Sequence, residues 1–195
     1  MFPLPPAGQY TYHLNGTSSS AFGSQKIDSD STLTVDYPSP NTAHSTEKDA
    51  NGSTEQTMVA RTDGLYLAEI HLTQPGFDED FKPTHPALLF LRNAVQGQHW
   101  SWSMTSSDGK YTLHAQLTLA DAHSSATMTD GTKVSTVAVT SVLHIDSSSI
   151  HITTHQRDEA ARNAVIVREH TITDGTAYGT KVHGDTTRVL TRQPK

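Results

Sequence analysis

Twelve histidines in a chain without cysteine are the residues whose type first suggests chemistry, and that chemistry would be metal binding. Their spacing argues against it. His151 and His155 lie four apart in a stretch of strand-like alternation, on one face with Thr153 between them. Two such residues sit about 13 Å apart at about 3.3 Å per residue, too far for one ion with bonds near ~2.0 Å. A shared ion is left to clusters assembled across strands, such as His144 with His151 over the turn Asp146-Ser-Ser-Ser149, or either of them with His170. No carboxylate accompanies these histidines at a recognised metal-site spacing. Solvent-facing sheet histidines are therefore the expectation, with no metal and no other cofactor.

Other chemistries leave equally little trace. The chain holds 28 Thr and 20 Ser, yet it has no Gly-x-Ser-x-Gly elbow and no Ser-x-x-Lys with partner motifs. Phosphate-cradling glycine patterns and His-Glu-x-x-His are missing as well. Glu69, Asp121, Glu159 and Glu169 are eligible as a carboxylate pair for glycoside cleavage, but only tertiary structure sets such a separation, and ordinary surface charge is the simpler reading. Asn15-Gly16-Thr17 and Asn51-Gly52-Ser53 fit the glycosylation pattern; Asn-Gly is also a preferred hairpin turn, and both read as turns.

The aromatic residues give the sharper candidate. Trp100 and Trp102, the only tryptophans, share one face of a strand that begins after Gly97-Gln98. If the Asp108-Gly109 turn folds the next strand beside them, Tyr111 and Leu113 join the same face. These four are the candidate ligand-binding residues, and a plain core pair of tryptophans is the competing reading. Tyr10 and Tyr12 form a second same-face pair that reads as packing.

What must position these residues is a sheet. From Lys110 to Ala120, Tyr111, Leu113, Ala115, Leu117 and Leu119 alternate with Lys110, Thr112, His114, Gln116 and Thr118. One greasy and one wet face is the mark of an antiparallel sheet packed on one side. Nine other stretches read alike, starting with Gln9 to Leu14 and ending with Tyr178 to Thr191, and Asp63-Gly64, Asp130-Gly131 and Asp174-Gly175 add turn signals. Residues 37–52, 74–86 and 123–129 read as loops, the second carrying Asp78, Glu79 and Asp80. Residues 86–95 and 158–164 offer at most a helical turn or two.

Composition bounds the function. With 195 residues a single domain is expected, able to bury a core without disulfides. A net charge of -6 argues against a nucleic-acid partner, which would need clustered Lys and Arg. No apolar run is long enough for a transmembrane helix. Met1 to Pro6 has neither the basic nor the apolar region of a signal peptide, so the sequence is either cytoplasmic or a mature segment.

Five pieces together resemble a group of uncharacterised, secreted or lipid-anchored actinobacterial β-proteins: residues 5–12 (Pro-Pro-Ala-Gly-Gln-Tyr-Thr-Tyr), 31–36, Gly97-Gln-His-Trp-Ser-Trp102, 164–169, and Gly184-Asp-Thr-Thr-Arg-Val-Leu190. Members of that group carry paired cysteines and an N-terminal signal, and this chain has neither. The resemblance implies an extracytoplasmic location and supplies no catalytic residue. At the level of fold, the one-sided strands also resemble the half-barrels of bacterial lipoprotein carriers.

The expectation is thus one all-β domain over 1–195, an antiparallel meander of about ten strands curved into a half-barrel or clam. Its concave face would bind a lipid or other apolar molecule in the cell envelope without catalysis. An envelope interaction module with a filled interior and a polysaccharide hydrolase are the alternatives. Oligomeric state is not legible.

Overall fold

The computed structural model of the chain describes residues 1–50, 52–74 and 76–194. Among them every regular element is a strand: β1 (Gly8–Ser20), β2 (Gly23–Ser39), β3 (Thr42–Lys48), β4 (Ser53–Ala60), β5 (Gly64–Gln74), β6 (Phe77–Lys82), β7 (Ala87–Leu91), β8 (His99–Ser106), β9 (Thr112–Thr127), β10 (Lys133–Asp146), β11 (Ile150–Ala161), β12 (Ile166–Ala177) and β13 (Thr180–Arg192). In space they follow the order β4-β3-β2-β1-β13-β12-β11-β10-β9-β8-β6-β5, and β5 returns to β4. Twelve strands therefore close a barrel, and β7 is added on β5. All neighbours run antiparallel.

The expected half-barrel of ten strands is corrected on this point. The three additional strands come from stretches whose apolar signal is weak or unpatterned. β3 directs Ala43, Ser45 and Glu47 inward, two small residues and a charge, so no greasy alternation marks it. β6 falls inside the expected acidic loop: Phe77, Glu79 and Phe81 share its inner parity while Asp78 and Asp80 pair outward with His71. β7 is a continuous apolar run where a helical turn was expected. The other helical stretch, 158–164, is the end of β11 and its turn, and the expected loop 123–129 is mostly the end of β9.

Two of the expected turns are strand interior instead. Gly16 lies within β1 and Gly175 within β12; a Cβ on either would stand 2.1 Å from the neighbouring strand's carbonyl oxygen, that of Asp185 or His151. Glycine is there for close approach rather than for turning. The β12–β13 turn falls later, at Tyr178 and Gly179, both with positive φ. Gly109 and Gly131 do turn with positive φ, while Asn51 of the remaining Asn-Gly pair lies outside the described residues.

Strand parity decides which face is core. In β9, Leu113, Ala115, Leu117 and Leu119 are buried, Thr112 and Gln116 are exposed, and Tyr111, just before the strand, is half-buried. Apolar side chains thus point inward, whereas a membrane-spanning barrel carries its apolar band outside. Among the described residues no helix is long and apolar enough to cross a membrane. The N-terminal segment packs against the core: Phe2 stacks on Phe90 with ring centroids 6.3 Å apart, and the Tyr10 hydroxyl donates to the Pro6 carbonyl at 2.6 Å.

Candidate functional site

Between the apolar clusters the barrel interior holds a partly open cavity of about 230 Å3. Tyr10, Val35, Met58, Leu65, Phe90, Leu117, Val139 and Val165 form its apolar wall. Glu47, Asp158, Glu169 and Arg188 form a charged floor, with Gln56 and Gln156 beside them. Strand register brings the charges together. Asp158 on β11 lies opposite Glu169 on β12, and Glu169 opposite Arg188 on β13, so all three share the inward face.

Glu47 arrives from β3, three strands further round, and Arg188 spans that distance across Tyr12 of β1. Its guanidinium lies 4.5 Å from the Tyr12 ring centroid, a cation–π contact. From there Nη1 donates to Glu47 and Nη2 donates to Glu169 Oε2 at 2.8 Å. The Ser31 hydroxyl donates to Glu47 at 2.7 Å and Thr171 to Glu169 at 3.2 Å. Gln156 Nε2 donates to Asp158 Oδ1 at 2.8 Å, the one hydrogen bond to Asp158 found among the described residues. The side chains of Arg188, Glu47 and Glu169 keep 15%, 24% and 21% exposure, which they owe to the cavity they line.

The electrostatics follow from this wiring. Burial pushes against ionisation of Glu47, but the charge and hydrogen bonds of Arg188, with Ser31, outweigh it and hold the carboxyl below its usual range. Burial likewise opposes the Arg188 charge, and the Coulombic pull of Glu169 and Glu47 keeps it protonated. Asp158 has no cation of its own. Burial, reinforced by the negative Glu169, pushes its carboxyl up to about 7. Burial also raises the Tyr10 phenol to about 12, with Tyr37 adding to the shift.

The four sequence candidates lie elsewhere in the wall. Trp100 and Trp102 point inward, half-buried, opposite Leu117 and Ala115 of β9. Trp100 Nε1 donates to the Leu88 carbonyl at 3.1 Å, whereas Trp102 Nε1 is buried without a partner. Leu113 is buried opposite Met104, and Tyr111 meets Phe77 edge-on with centroids 5.0 Å apart. None of the four lines the cavity, although Trp100 packs beside Leu117 and Phe90, which do.

Of the eligible carboxylates only Glu169 reaches the floor. Glu69 pairs with Lys82 at 2.8 Å, Asp121 accepts from the His123 amide, and Glu159 accepts from Ser124. Sequence reasoning passed over Arg188, Glu47 and Asp158. The signal was available for two of them: Arg188 shares parity with Leu190, and Asp158 with Ile150 and Ile152, so each places a charge on a greasy face.

The histidines of the strands occupy the outer face, several beside carboxylates of adjacent strands. His151 meets Asp146 at 3.0 Å, His170 meets Asp185 at 2.9 Å and His183 meets Asp174 at 2.8 Å. His144 sits opposite Thr153 and stacks on His114, away from His151. Among the described residues no group of three or more His, Asp or Glu is placed to hold a metal ion.

No protein-family model matches the chain, and no curated protein matches it. Two solved structures are similar to it. One, from Bacteroides fragilis, is described as an exported protein with a YmcC-like fold; it is 13% identical over 100% of this chain and 99% of its own, with a TM-score of 0.49. The other, from Parabacteroides distasonis, is described as a lipoprotein; it is 15% identical over 97% of this chain and 96% of its own, with a TM-score of 0.46. Likeness at this level carries no inference about ligand or location. Neither organism is an actinobacterium, and the actinobacterial grouping read from the sequence pieces has no support in these two matches.

Proposed function

We propose that the chain is a non-enzymatic binding protein that holds a small apolar or amphiphilic molecule inside its barrel. The observation that supports this is the apolar-walled cavity of about 230 Å3 with a few convergent polar groups on its floor. An apolar cavity of ~150 Å3 accepts benzene, so by proportion this one takes roughly nine non-hydrogen atoms, a ring or a short chain. Of the lipid or other apolar molecule expected from the sequence, only a small one fits this space. Placement in the cell envelope rests on the sequence resemblance alone.

A hydrolase reading would use Asp158, whose carboxyl burial raises, with Glu169 opposite it. They face an interior space smaller than a disaccharide, which disfavours a polysaccharide substrate. An interaction module with a filled interior is the second reading, favoured by the three apolar clusters that pack the barrel around the cavity.

Thermal unfolding with 1-hexanol as probe separates these readings. Binding raises the melting temperature, because a ligand held only by the folded state adds to its stability, and it shifts the emission of Trp100 through Leu117 and Phe90. Val139→Phe, which fills the space, abolishes both effects. No shift with hexanol, or an equal shift in the filled variant, overturns the reading in favour of the interaction module.

A further inference from the structure

We propose that the molecule held in the cavity carries a cationic ammonium head, seated against Asp158 on the charged floor, with its apolar part against Phe90, Leu117 and Val139. This rests on the binding function proposed above and deepens it. The floor is charge-imbalanced: one guanidinium, Arg188, faces three carboxyl groups, Glu47, Glu169 and Asp158. The charge of Arg188 is already shared between two acids, since its terminal nitrogens donate to Glu47 and Glu169, while its Nε is buried without a partner. An anionic head would meet like charge from the carboxyl groups, which outnumber the one cation. Asp158 is the opposite case. It lines the cavity and takes a single hydrogen bond, at Oδ1 from Gln156, which leaves Oδ2 to accept from a ligand.

The groups that face Asp158 bear the same sign. Glu169 stands opposite it on β12, and Glu47 lies across the floor on β3. Arg188 on β13 is the cation, Tyr10 and Tyr12 on β1 stay neutral, and Val139 on β10 contributes no charge. A cation entering there replaces the proton that burial and Glu169 keep on Asp158. Binding therefore releases a proton near neutral pH and strengthens as pH rises through about 7, where Asp158 ionises while an alkylammonium stays charged.

The test uses the whole chain and three probes of equal length: hexylammonium, hexanoate and 1-hexanol, titrated calorimetrically at about pH 6 and about pH 8. The expected order is hexylammonium tightest and hexanoate weakest. Hexylammonium affinity should rise with pH by up to about tenfold for each unit by which it lowers the Asp158 pKa, while hexanol affinity stays flat. Titration in two buffers of different ionisation enthalpy should show proton release on hexylammonium binding near pH 7, a wild-type readout independent of whether any variant folds. Asp158→Asn should remove both the release and the pH dependence and leave hexanol binding in place. If hexanol binds but hexylammonium binds no better than hexanoate, or releases no proton, the cationic head is wrong and the cavity function stands. If none of the three binds, the cavity function itself fails.

Discussion

At the scale of single residues, the barrel interior is a contest between burial and pairing. Arg188 carries two acids, so Arg188→Met leaves Glu47 and Glu169 buried without a cation. That should cost about 3–5 kcal/mol by chemical denaturation, with partial recovery in acid as the carboxyls take up protons. Asp158 works the other way. Its pKa is higher folded than unfolded, so between about pH 4 and pH 7 the folded chain keeps a proton that the unfolded chain has released. Its contribution to stability therefore falls as pH rises through that window. Asp158→Asn should flatten the decline and stabilise the protein at about pH 8 by on the order of 2 kcal/mol, since a pKa unit is worth about 1.4 kcal/mol and the cavity solvates part of the charge. The tryptophans offer a comparison of the same kind. Trp100→Phe loses a hydrogen bond to Leu88, whereas Trp102→Phe removes a buried donor that has none, so the first substitution should be the more damaging in denaturant.

At the scale of elements, the barrel wall is uneven. β9 and β10 pair along almost their whole length, but β6 meets β8 only through Phe81 with Ser106 and Lys82 with Thr105. Beyond those two pairs, the edge of β8 from Trp100 to Met104 faces β7 with no strand pairing; among the described residues the two meet through apolar packing of Ala87 and Leu89 with Trp102 and Met104, and through the hydrogen bond of Trp100 to the Leu88 carbonyl. Hydrogen exchange should therefore be faster in β6, β7 and β8 than in β9 and β10, because local opening follows the weakest pairing. Phe81, fully buried at the seam, should report on the same weakness: Phe81→Ala should cost about 3–5 kcal/mol and speed exchange across β6 and β8 first. Uniform exchange round the wall would contradict a seam at this place.

At the scale of the whole molecule, closure depends on contacts between the chain's two ends. β1 pairs with β13, Tyr12 opposite Leu190, so the wall is incomplete until the last strand docks on the first. Contacts of such sequence separation must overcome loop-closure entropy before they stabilise anything, which makes for slow folding. Refolding followed by tryptophan emission should occupy seconds or longer. A chain truncated after Ala177 should leave β1 and β12 as open edges and aggregate rather than fold.

Alternation alone fixed the strand class and ten of the strands, because a period of two in residues such as Leu113, Leu117 and Leu119 has only one structural meaning when one face is buried. It also separated His151 from His155, since a rise of about 3.3 Å per residue is a property of any strand. It could not find β3, whose inward residues are a small Ala43 in the core, Ser45 on the cavity and Glu47 paired with Arg188, so that no greasy alternation marks it. Whether the sheet stayed open or closed was likewise beyond it, since closure is decided by register between strands as remote as β1 and β13. The floor of the cavity belongs to the same class of fact. Glu47, Asp158, Glu169 and Arg188 are scattered over 142 positions of sequence, and only the wrapped sheet, with Arg188 lying across Tyr12, brings their charges within one another's reach.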